Sequence, residues 1–362
     1  MKRKNNLYPT LISDDNLKCA LFAVNMTHRW HSHHKPNKLV KWVESDIPSR
    51  VEELRTIIEK GFVPASNTEK KVHDKSACKW RAIHEPKLWP DQYVHHALIQ
   101  VLQPVMMRGM DKWCCGSIKC RGTHYGIRAM QKWMYQDIKG TKYCVELDIH
   151  HFYQNLTSDI VMERLRSLVK DYKVLDLVER ITNDGILIGC YCSQWFANTV
   201  LQPLDHKIRE NGFRVSHYLR YMDNFTIFSP NKGQLKRLVK FITSWLTKKG
   251  LELNKNWQIF STEHRMPKAL GYRYSHSHTL LRKENLLRLK RSLNKYYKKK
   301  AAHKKVTNAL AAGILSRLGQ LKYCNSTNIY HRYVRPGTQR ELKQIVRDYM
   351  RKETLKWNTL LA

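Results

Sequence analysis

The feature that most constrains the fold is a pair of aspartates, each placed where a β-strand is predicted to end. Residues 141–153, TKYCVELDIHHFY, alternate between apolar and polar positions, which predicts a strand ending at Asp148. Residues 215–229, VSHYLRYMDNFTIFS, contain two β-rich runs around a polar break at Asp223 and Asn224, the pattern of a hairpin. If these strand ends lie side by side in one sheet, the carboxylates can share a pair of Mg²⁺ ions, as two-metal phosphoryl transfer requires. Spacing alone fits two unrelated surface aspartates as well.

The net charge indicates a polyanionic partner. The chain carries 65 Lys and Arg residues against 30 Asp and Glu residues, a formal net charge of +35 at pH 7. Such an excess repels itself unless a polyanion offsets it. Because the excess is spread along the whole chain and is densest at residues 290–305, it favours a long nucleic-acid track over a basic tether. A generally basic protein without a nucleic-acid partner is the alternative.

Cysteine usage and hydropathy indicate the compartment. Nine cysteines, an odd number in a large chain, are typical of reduced thiols in a cytoplasm. The chain has no run of about 18 apolar residues and no apolar segment near its basic start, so we expect neither a membrane span nor a secretory signal. A zinc site is disfavoured because two of its candidate ligands are adjacent and no second CxxC follows. Those candidates are Cys114, Cys115, Cys120 and His124.

Helical periodicity predicts most of the remaining elements. Asp91 is the expected N-cap of a helix with an apolar face made of Val94, Leu98, Val101 and Leu102. A basic glycine loop is predicted at 116–126 and helices at 126–137 and 233–249. A further helix is predicted to begin near residue 158, and another to end near residue 212. A turn and strand are predicted at 248–261, a hairpin at 269–285, and mostly helix at 284–360.

Several segments, in one order along the chain, resemble the motifs of reverse transcriptases. YCVELDIHHFY, LIGCYCSQWFAN and YLRYMDNFTIF resemble three successive palm motifs, and LELNKNWQIF and ALGYRY resemble the next two. PDQYVHHALIQVLQP and GSIKCRGTHYGI resemble fingers segments of bacterial and phage members, and LSRLGQLKYCNSTNIYHRYVRP resembles a thumb segment. The resemblance covers roughly residues 78–350. It rests on all the motifs standing in register, since none is decisive alone.

The resemblance implies an α+β right-hand polymerase with fingers, a palm built on an antiparallel sheet, and a helical thumb. It divides the chain into an N-terminal helical basic extension (1–75), fingers (76–140), a palm (141–275) that includes part of the fingers at 158–195, and a basic helical thumb (276–362). It also implies an RNA-directed DNA polymerase, a nucleotidyltransferase that uses two Mg²⁺ ions, with Mn²⁺ as an alternative. Its partners are then an RNA template, the RNA/DNA heteroduplex and dNTPs, in the cytoplasm of a bacterial host cell.

The same resemblance assigns the catalytic carboxylates. Asp148 and Asp223 match the metal ligands, and Ile149 matches the position that offers a backbone carbonyl beside the first of them. The hairpin has Tyr-Met-Asp-Asn where the family usually has Tyr-x-Asp-Asp, so Asn224 stands at the position of a second aspartate. An asparagine keeps an oxygen but loses the charge, which weakens the contact with the second metal. We still expect an active enzyme, because the first aspartate normally makes most of the ligation.

The substrate-binding residues are also assigned by resemblance. Tyr153 occupies the steric-gate position, where a bulky ring clashes with a ribose 2′-OH and selects dNTPs. The pair Ile188-Gly189 stands beside the expected nascent base pair, where most members have Gln-Gly, and Gln194 replaces a proline. The fingers lack a clean Lys-x-Arg pair for the triphosphate. The candidates, which fit solvated surface charges equally well, are Arg81, Lys87 and Arg121.

Nucleic-acid contacts are expected at the hairpin and in the thumb. Tyr221 and Met222 precede Asp223 in the hairpin. The basic helices near the C-terminus suit a thumb that follows a heteroduplex backbone, and phosphate contacts of this kind hold a duplex without specifying its sequence. The candidate thumb residues are Lys298, Lys299 and Lys300. Lys255 lies near the motif in which a lysine can protonate the leaving pyrophosphate, although its register is shifted.

Within the family, the third palm segment resembles the diversity-generating retroelement type. That type has an aliphatic-Gly pair and a Ser-Gln pair, matched here by Ile188-Gly189 and Ser193-Gln194. This implies a phage or bacterial retroelement whose enzyme works with a structured template RNA and a small basic accessory protein. An antiphage defence-associated reverse transcriptase is one alternative. A catalytically weakened polymerase relative that only binds RNA, suggested by Asn224 and the incomplete fingers motif, is the other.

Overall fold

The structure, a computed structural model, describes residues 2–31, 38–65, 68–74, 79–210 and 212–361. Helices dominate both ends of the chain. They are α1 (Tyr8–Leu11), α2 (Asp14–His31), α3 (Lys38–Ser45), α4 (Ile47–Glu59), α5 (Tyr93–Met107), α6 (Thr123–Gln136), α7 (Phe152–Asn155), α8 (Ser158–Arg166), α9 (Tyr172–Thr182), α10 (Tyr191–Glu210), α11 (Lys232–Thr247), α12 (Lys283–Ala301), α13 (Asn308–Gln320), α14 (Thr327–Tyr333) and α15 (Thr338–Leu361).

Strands lie between these helices. They are β1 (Thr68–Asp74), β2 (Lys79–Glu85), β3 (Cys114–Cys115), β4 (Tyr143–Asp148), β5 (His217–Tyr221), β6 (Asn224–Ser229), β7 (Gln258–Ser261), β8 (Lys268–Ala269), β9 (Tyr272–Tyr274) and β10 (Thr279–Leu281). Five of them form a central sheet in the order β3-β5-β6-β4-β7. β4 pairs antiparallel with β6 and β7, β5 and β6 form a hairpin, and β3 pairs in parallel with β5. The strand and the hairpin predicted from the sequence therefore lie side by side.

Both faces of the central sheet are covered by apolar side chains. Because side chains alternate along a strand, Val145 of β4 and Ile227 of β6 face one core, which they share with α5, α8, α10 and α11. Cys144 and Phe228 face a second core, shared with α6, β9 and the C-terminal helices. Asp148 follows the alternation of Cys144, so it lies on the second face of the sheet.

The sequence did not predict the hairpin of β1 and β2. These strands pair antiparallel from Thr68 opposite Glu85 to Asp74 opposite Lys79. The expected border between residues 75 and 76 falls between them. The predicted cap of α5 is wrong: Asp91 lies in a π-helical turn before the helix, and its carboxylate accepts a hydrogen bond from the Ala65 amide at 3.2 Å. The expected apolar face of α5 is buried.

The C-terminal part is helical, as predicted for residues 284–360. A three-stranded sheet in the order β10-β9-β8 connects the central sheet to α12. Leu289, Leu293 and Tyr296 of α12 pack with Ile314 and Leu318 of α13 in the second core. Within the described residues, no helix is both long and apolar enough to cross a membrane.

Candidate active site

The strand register brings the two predicted aspartates to one end of the central sheet. Asp148 ends β4 and lies directly opposite Asn224, the first residue of β6. Asp223 belongs to the two-residue turn that joins β5 to β6, in which Tyr221 pairs with Asn224. The amide of Ile149 donates a hydrogen bond to the Asp223 carbonyl at 3.2 Å, which fastens the turn to the end of β4. Both aspartates are half-buried.

A residue that the sequence analysis missed, Asn254, holds Asp148 in place. Its backbone amide donates to the Asp148 carbonyl at 2.8 Å, and its Nδ2 donates to the Asp148 Oδ2. Its own Oδ1 lies 2.9 Å from His150 Nδ1. The segment LELNKN resembles a palm motif, and the chemistry of that motif singles out the exposed Lys255 beside Asn254. An asparagine one residue earlier is unremarkable in a sequence and is identified only by its contact.

The turn that carries Asp223 adopts an unusual backbone conformation. Met222 has a φ of 57°, a left-handed conformation that non-glycine residues rarely adopt. The Met222 amide lies 3.4 Å from the Cys115 carbonyl, and its own carbonyl accepts from Arg220 Nη1 at 3.0 Å. A Cβ at Gly116 would lie 3.2 Å from Met222 Cγ, so the loop after β3 fits closely against this side chain. The conformation of the turn is thus fixed from two sides.

Arg220 anchors the turn through a buried ion pair with Asp205 of α10. Both side chains are fully buried, and Arg220 donates to the two Asp205 oxygens at 2.7 and 2.6 Å. Arg220 also donates to Asn198 Oδ1 at 2.9 Å, and the Tyr218 hydroxyl donates to Asp205. Burial alone would lower the pKa of Arg220, but the adjacent Asp205 carboxylate outweighs it and raises that pKa above its usual value. The guanidinium is therefore a permanent cation beneath the turn.

Tyr153, the expected steric gate, lies in α7 near Asp223 and Tyr221. Its ring is half-buried. Burial raises the pKa of its hydroxyl, and the nearby Asp223 and Tyr221 raise it further. The residue is thus a neutral phenol near Asp223, carried by the helix that follows β4.

The Ile188-Gly189 pair is hydrogen-bonded to β2. The Ile188 carbonyl accepts from the His84 amide at 2.7 Å. Gly189 has a φ of 115°, and a Cβ there would lie only 2.1 Å from the His84 carbonyl oxygen. Only glycine permits this approach. Gln194 is exposed on the first turn of α10.

The triphosphate candidates occupy different places. Arg81 is half-buried on β2, the strand that contacts the Ile188-Gly189 pair, whereas Lys87 is exposed beyond the end of that strand. Arg121 Nη1 donates to the Asp111 carbonyl at 3.1 Å, and the Arg121 carbonyl accepts from Gly116 at 3.0 Å. Arg121 therefore lies in the loop that packs against Met222.

The three thumb lysines at the end of α12 are not equivalent. Lys298 is exposed. Lys299 Nζ donates to the Lys305 carbonyl at 3.2 Å, and Lys300 forms an ion pair with Glu341 of α15. Lys298 thus has the most accessible ammonium group of the three.

The described residues contain no group of three or more His, Cys, Asp or Glu side chains that could hold a metal ion. The zinc hypothesis finds no support, since Cys114 and Cys115 are buried and burial raises the pKa of both thiols. Two carboxylates remain at the end of the sheet. Mg²⁺ commonly binds through one or two carboxylates together with substrate phosphates, and keeps several waters. The donor set therefore fits Mg²⁺ delivered with a nucleotide.

A match to one family model agrees with the motif resemblance. Residues 72–274 match the family model described as "Reverse transcriptase (RNA-dependent DNA polymerase)". Two solved structures of apo telomerase from Candida tropicalis are similar in part. One, truncated from its C-terminal domain, aligns over 60% of this chain and 55% of its own at 14% identity and a TM-score of 0.43; the other aligns over 75% and 56% at 13% identity and 0.46. The chain thus spans little more than half the length of these telomerases. The comparison with curated proteins gives no match.

Proposed function

The chain belongs to the reverse transcriptase family and has its right-hand polymerase fold, and from this premise we propose that it copies an RNA template into DNA at the end of β4. The observation that carries the proposal is the register of the central sheet. Asp148 lies opposite Asn224, and the Ile149 amide binds the Asp223 carbonyl at 3.2 Å. Two half-buried carboxylates beside a turn of fixed conformation suit the binding of a nucleotide with its Mg²⁺.

The proposed metal ligands are Asp148, Asp223 and the carbonyl of Ile149. Bound Mg²⁺ supplies activation of the primer 3′-hydroxyl and neutralisation of charge on the triphosphate. The protein's part is orientation. Asn254 occupies one oxygen of Asp148, which limits how that carboxylate can turn. Asn224 is exposed, and its Nδ2 donates to Asp223 Oδ1 at 3.0 Å, so it orients Asp223 while contributing no charge.

Selection of the substrate falls to residues around this end of the sheet. We propose that the Tyr153 ring excludes the ribose 2′-OH, and that Ile188 lines the nascent base pair. The hydrogen bond from His84 to the Ile188 carbonyl supports a fixed wall at that point. Arg81 and Arg121 are the better-supported partners of the triphosphate, because each is connected by contacts to the elements that carry the site.

The activity is tested by primer extension with the purified full-length protein. We expect DNA synthesis on a primed RNA template with dNTPs and Mg²⁺, little synthesis with NTPs, and loss of synthesis on adding a chelator. Asp348→Asn, a change at an exposed aspartate of the C-terminal helix α15, is the control and should extend normally. Absence of dNTP incorporation by a folded protein that binds the primed RNA would overturn the proposal.

The setting we propose is a diversity-generating retroelement of a phage or bacterium, with a structured template RNA and a small basic accessory protein as partners. Support comes from the Ile188 side chain, which cannot form a hydrogen bond at a position where most members have a side-chain amide. Gln194, in place of a rigid proline, adds to this support. A neutral hydrogen bond contributes about 0.5–1.5 kcal/mol, so its absence should raise misincorporation roughly two- to tenfold.

Sequencing of the cDNA tests this setting. Ile188→Gln should make fewer errors than wild type on the same RNA, most visibly opposite template adenine. Equal error rates, with wild type already accurate at adenine, would leave an antiphage defence-associated enzyme as the better account.

A second candidate function is RNA binding by a weakened polymerase. The observation that favours it is Asn224, which replaces a charge beside Asp223. The same primer-extension assay separates the two functions, since a binding protein holds primed RNA without extending it.

A further inference from the structure

A cavity lined by lysines, one exposed aromatic ring and the apolar side chains of Val239 and Ile259 lies between α11 and β7. Its volume is about 620 Å³, within the roughly 300–1,000 Å³ usual for ligand pockets. Its basic and aromatic lining consists of Lys232, Lys236, Lys240 and Trp257. Thr243 and Ser244 add hydroxyl groups to the lining. No residue of the proposed catalytic machinery lines it.

The cavity lies on the face of the sheet opposite to Asp148. Ile259, which lines the cavity, pairs with Val145, and Val145 belongs to the core beneath α11. Cross-strand partners share a face, whereas Asp148 follows the alternation of Cys144 on the other face. A primer–template held at Asp148 therefore does not occupy this cavity.

The lysines are arranged along one line of α11. They are four residues apart, so they recur on one face of the helix at intervals of about 6 Å. All three are exposed, and in the part of the chain that the structure describes none of them forms an ion pair. Three uncompensated ammonium groups side by side repel one another, and an anionic chain with regularly spaced charges offsets this repulsion.

Trp257 decides which kind of anionic chain fits. Its side chain remains 38% exposed at the edge of the cavity. An acidic peptide would satisfy the lysines but would leave the indole ring without a flat partner. Single-stranded nucleic acid satisfies both, because its bases stack on aromatic rings while lysines follow its phosphates.

We propose that this cavity binds an unpaired stretch of RNA, with its phosphates along Lys232, Lys236 and Lys240 and a base stacked on Trp257. The RNA is the part of a template that lies outside the catalytic cleft. The proposal extends the proposed function and does not depend on catalysis, since it concerns binding alone. The cavity would be a second binding site for an RNA that is longer than the cleft.

The test compares two substrates in the absence of dNTPs: a primer–template duplex, and the same duplex with an unpaired uridine tract. The tract should increase the affinity of the wild-type protein. In the variant with Lys232, Lys236 and Lys240 all replaced by Ala, most of that gain should be lost. The slope of log affinity against log salt for the tailed substrate should become shallower by about 2, at about 0.7 per lost single-strand phosphate contact.

Trp257→Ala should weaken binding of the tailed substrate roughly 5- to 150-fold, the effect of about 1–3 kcal/mol per stacked base, and Trp257→Phe should retain most of the affinity. The control is a triple Ala variant of Lys132, Lys139 and Lys170, which are exposed elsewhere and should keep the gain.

An equal gain from the tract in wild type and the cavity variant would overturn the proposal. An equal loss of affinity for both substrates would also overturn it. Suppose that a poly-glutamate peptide displaces the tract from the wild-type protein, while Trp257→Ala binds the tract with normal affinity. The cavity is then a site for an acidic protein segment instead. Retained gain from the tract by a protein that fails to extend primers would contradict the proposed polymerase function alone.

Discussion

Replacement of Asp205 by Asn removes the charge that balances Arg220 and keeps the size of the side chain. Arg220 loses its charged partner, to which it donates at 2.6 and 2.7 Å, while both groups remain fully buried. Removal of one partner of a buried pair costs about 3–5 kcal/mol, because the other charge is left uncompensated. For 362 residues at about 2.1 cal/mol/K of unfolding entropy each, this corresponds to a fall in Tm of about 4–7 °C.

The combination of Asp205→Leu with Arg220→Met separates stability from function. Apolar replacement of both partners of a buried ion pair is often neutral or stabilising, but here the buried Tyr218 hydroxyl and Asn198 side chain each lose a hydrogen-bond partner. We therefore expect a fall in Tm, measured by scanning calorimetry, that is no larger than the fall in Asp205→Asn. The Met222 carbonyl, however, loses its donor Arg220 Nη1 at 3.0 Å, so the turn carrying Asp223 loses one of the contacts that fix its conformation. A hydrogen bond from a charged donor contributes about 1.5–3 kcal/mol, so kcat should fall by up to about two orders of magnitude with little change in RNA affinity.

A folded double variant with wild-type kcat would refute the positioning role of the pair. The buried pair would then stabilise the fold without positioning the catalytic turn. If kcat of the double variant falls only in proportion to the fraction of protein that is unfolded, the pair has no positioning role either.

Three further outcomes are expected. Asn224→Asp adds a carboxylate beside Asp223 and should lower the Mg²⁺ concentration for half-maximal extension; superimposable metal titrations would contradict a role at the metal. Tyr153→Ala should admit NTPs that Tyr153→Phe still excludes, and equal discrimination by both variants would remove the steric gate. Gly189→Ala places a Cβ 2.1 Å from the His84 carbonyl and should destabilise the protein in urea more than Gly185→Ala, which has a φ of 88° but no atom within 4 Å of its Cβ.

The central sheet could be predicted because its strands carry strong local signals. Alternation in residues 143–148 and the polar break after Tyr221 locate both strand ends, and the observed register confirms that they are neighbours. The α+β right-hand polymerase fold predicted from the motif order is confirmed by the family match. These elements are predictable because apolar periodicity and turn chemistry lie within a few residues of one another.

The β1–β2 hairpin could not be predicted because its sequence lacks such a signal. TEKKVHD is mostly polar, its residues 69–73 are exposed, and β1 is held by pairing with β2 more than by a buried face. Strand preference of this kind depends on the partner strand, which a local sequence does not reveal.

The buried pair of Asp205 and Arg220 escaped prediction for a different reason. Charged residues are almost never fully buried unless they are paired, so each one taken alone is expected to be solvated. Only the packing of α10 against β5 shows that they meet. Asn254 is similar, since its contact with Asp148 joins residues 106 positions apart.

The measurement that tests the account most directly is incorporation of dNTPs on a primed RNA as Mg²⁺ is varied, made with wild type, Asp148→Asn and Asp223→Asn. Each change keeps the shape of the side chain and removes one carboxylate from the end of the sheet. We predict metal-dependent synthesis by wild type and a loss of several orders of magnitude in each variant, with affinity for the primed RNA preserved. Near-wild-type synthesis by either variant would show that the chemistry does not take place between Asp148 and Asp223.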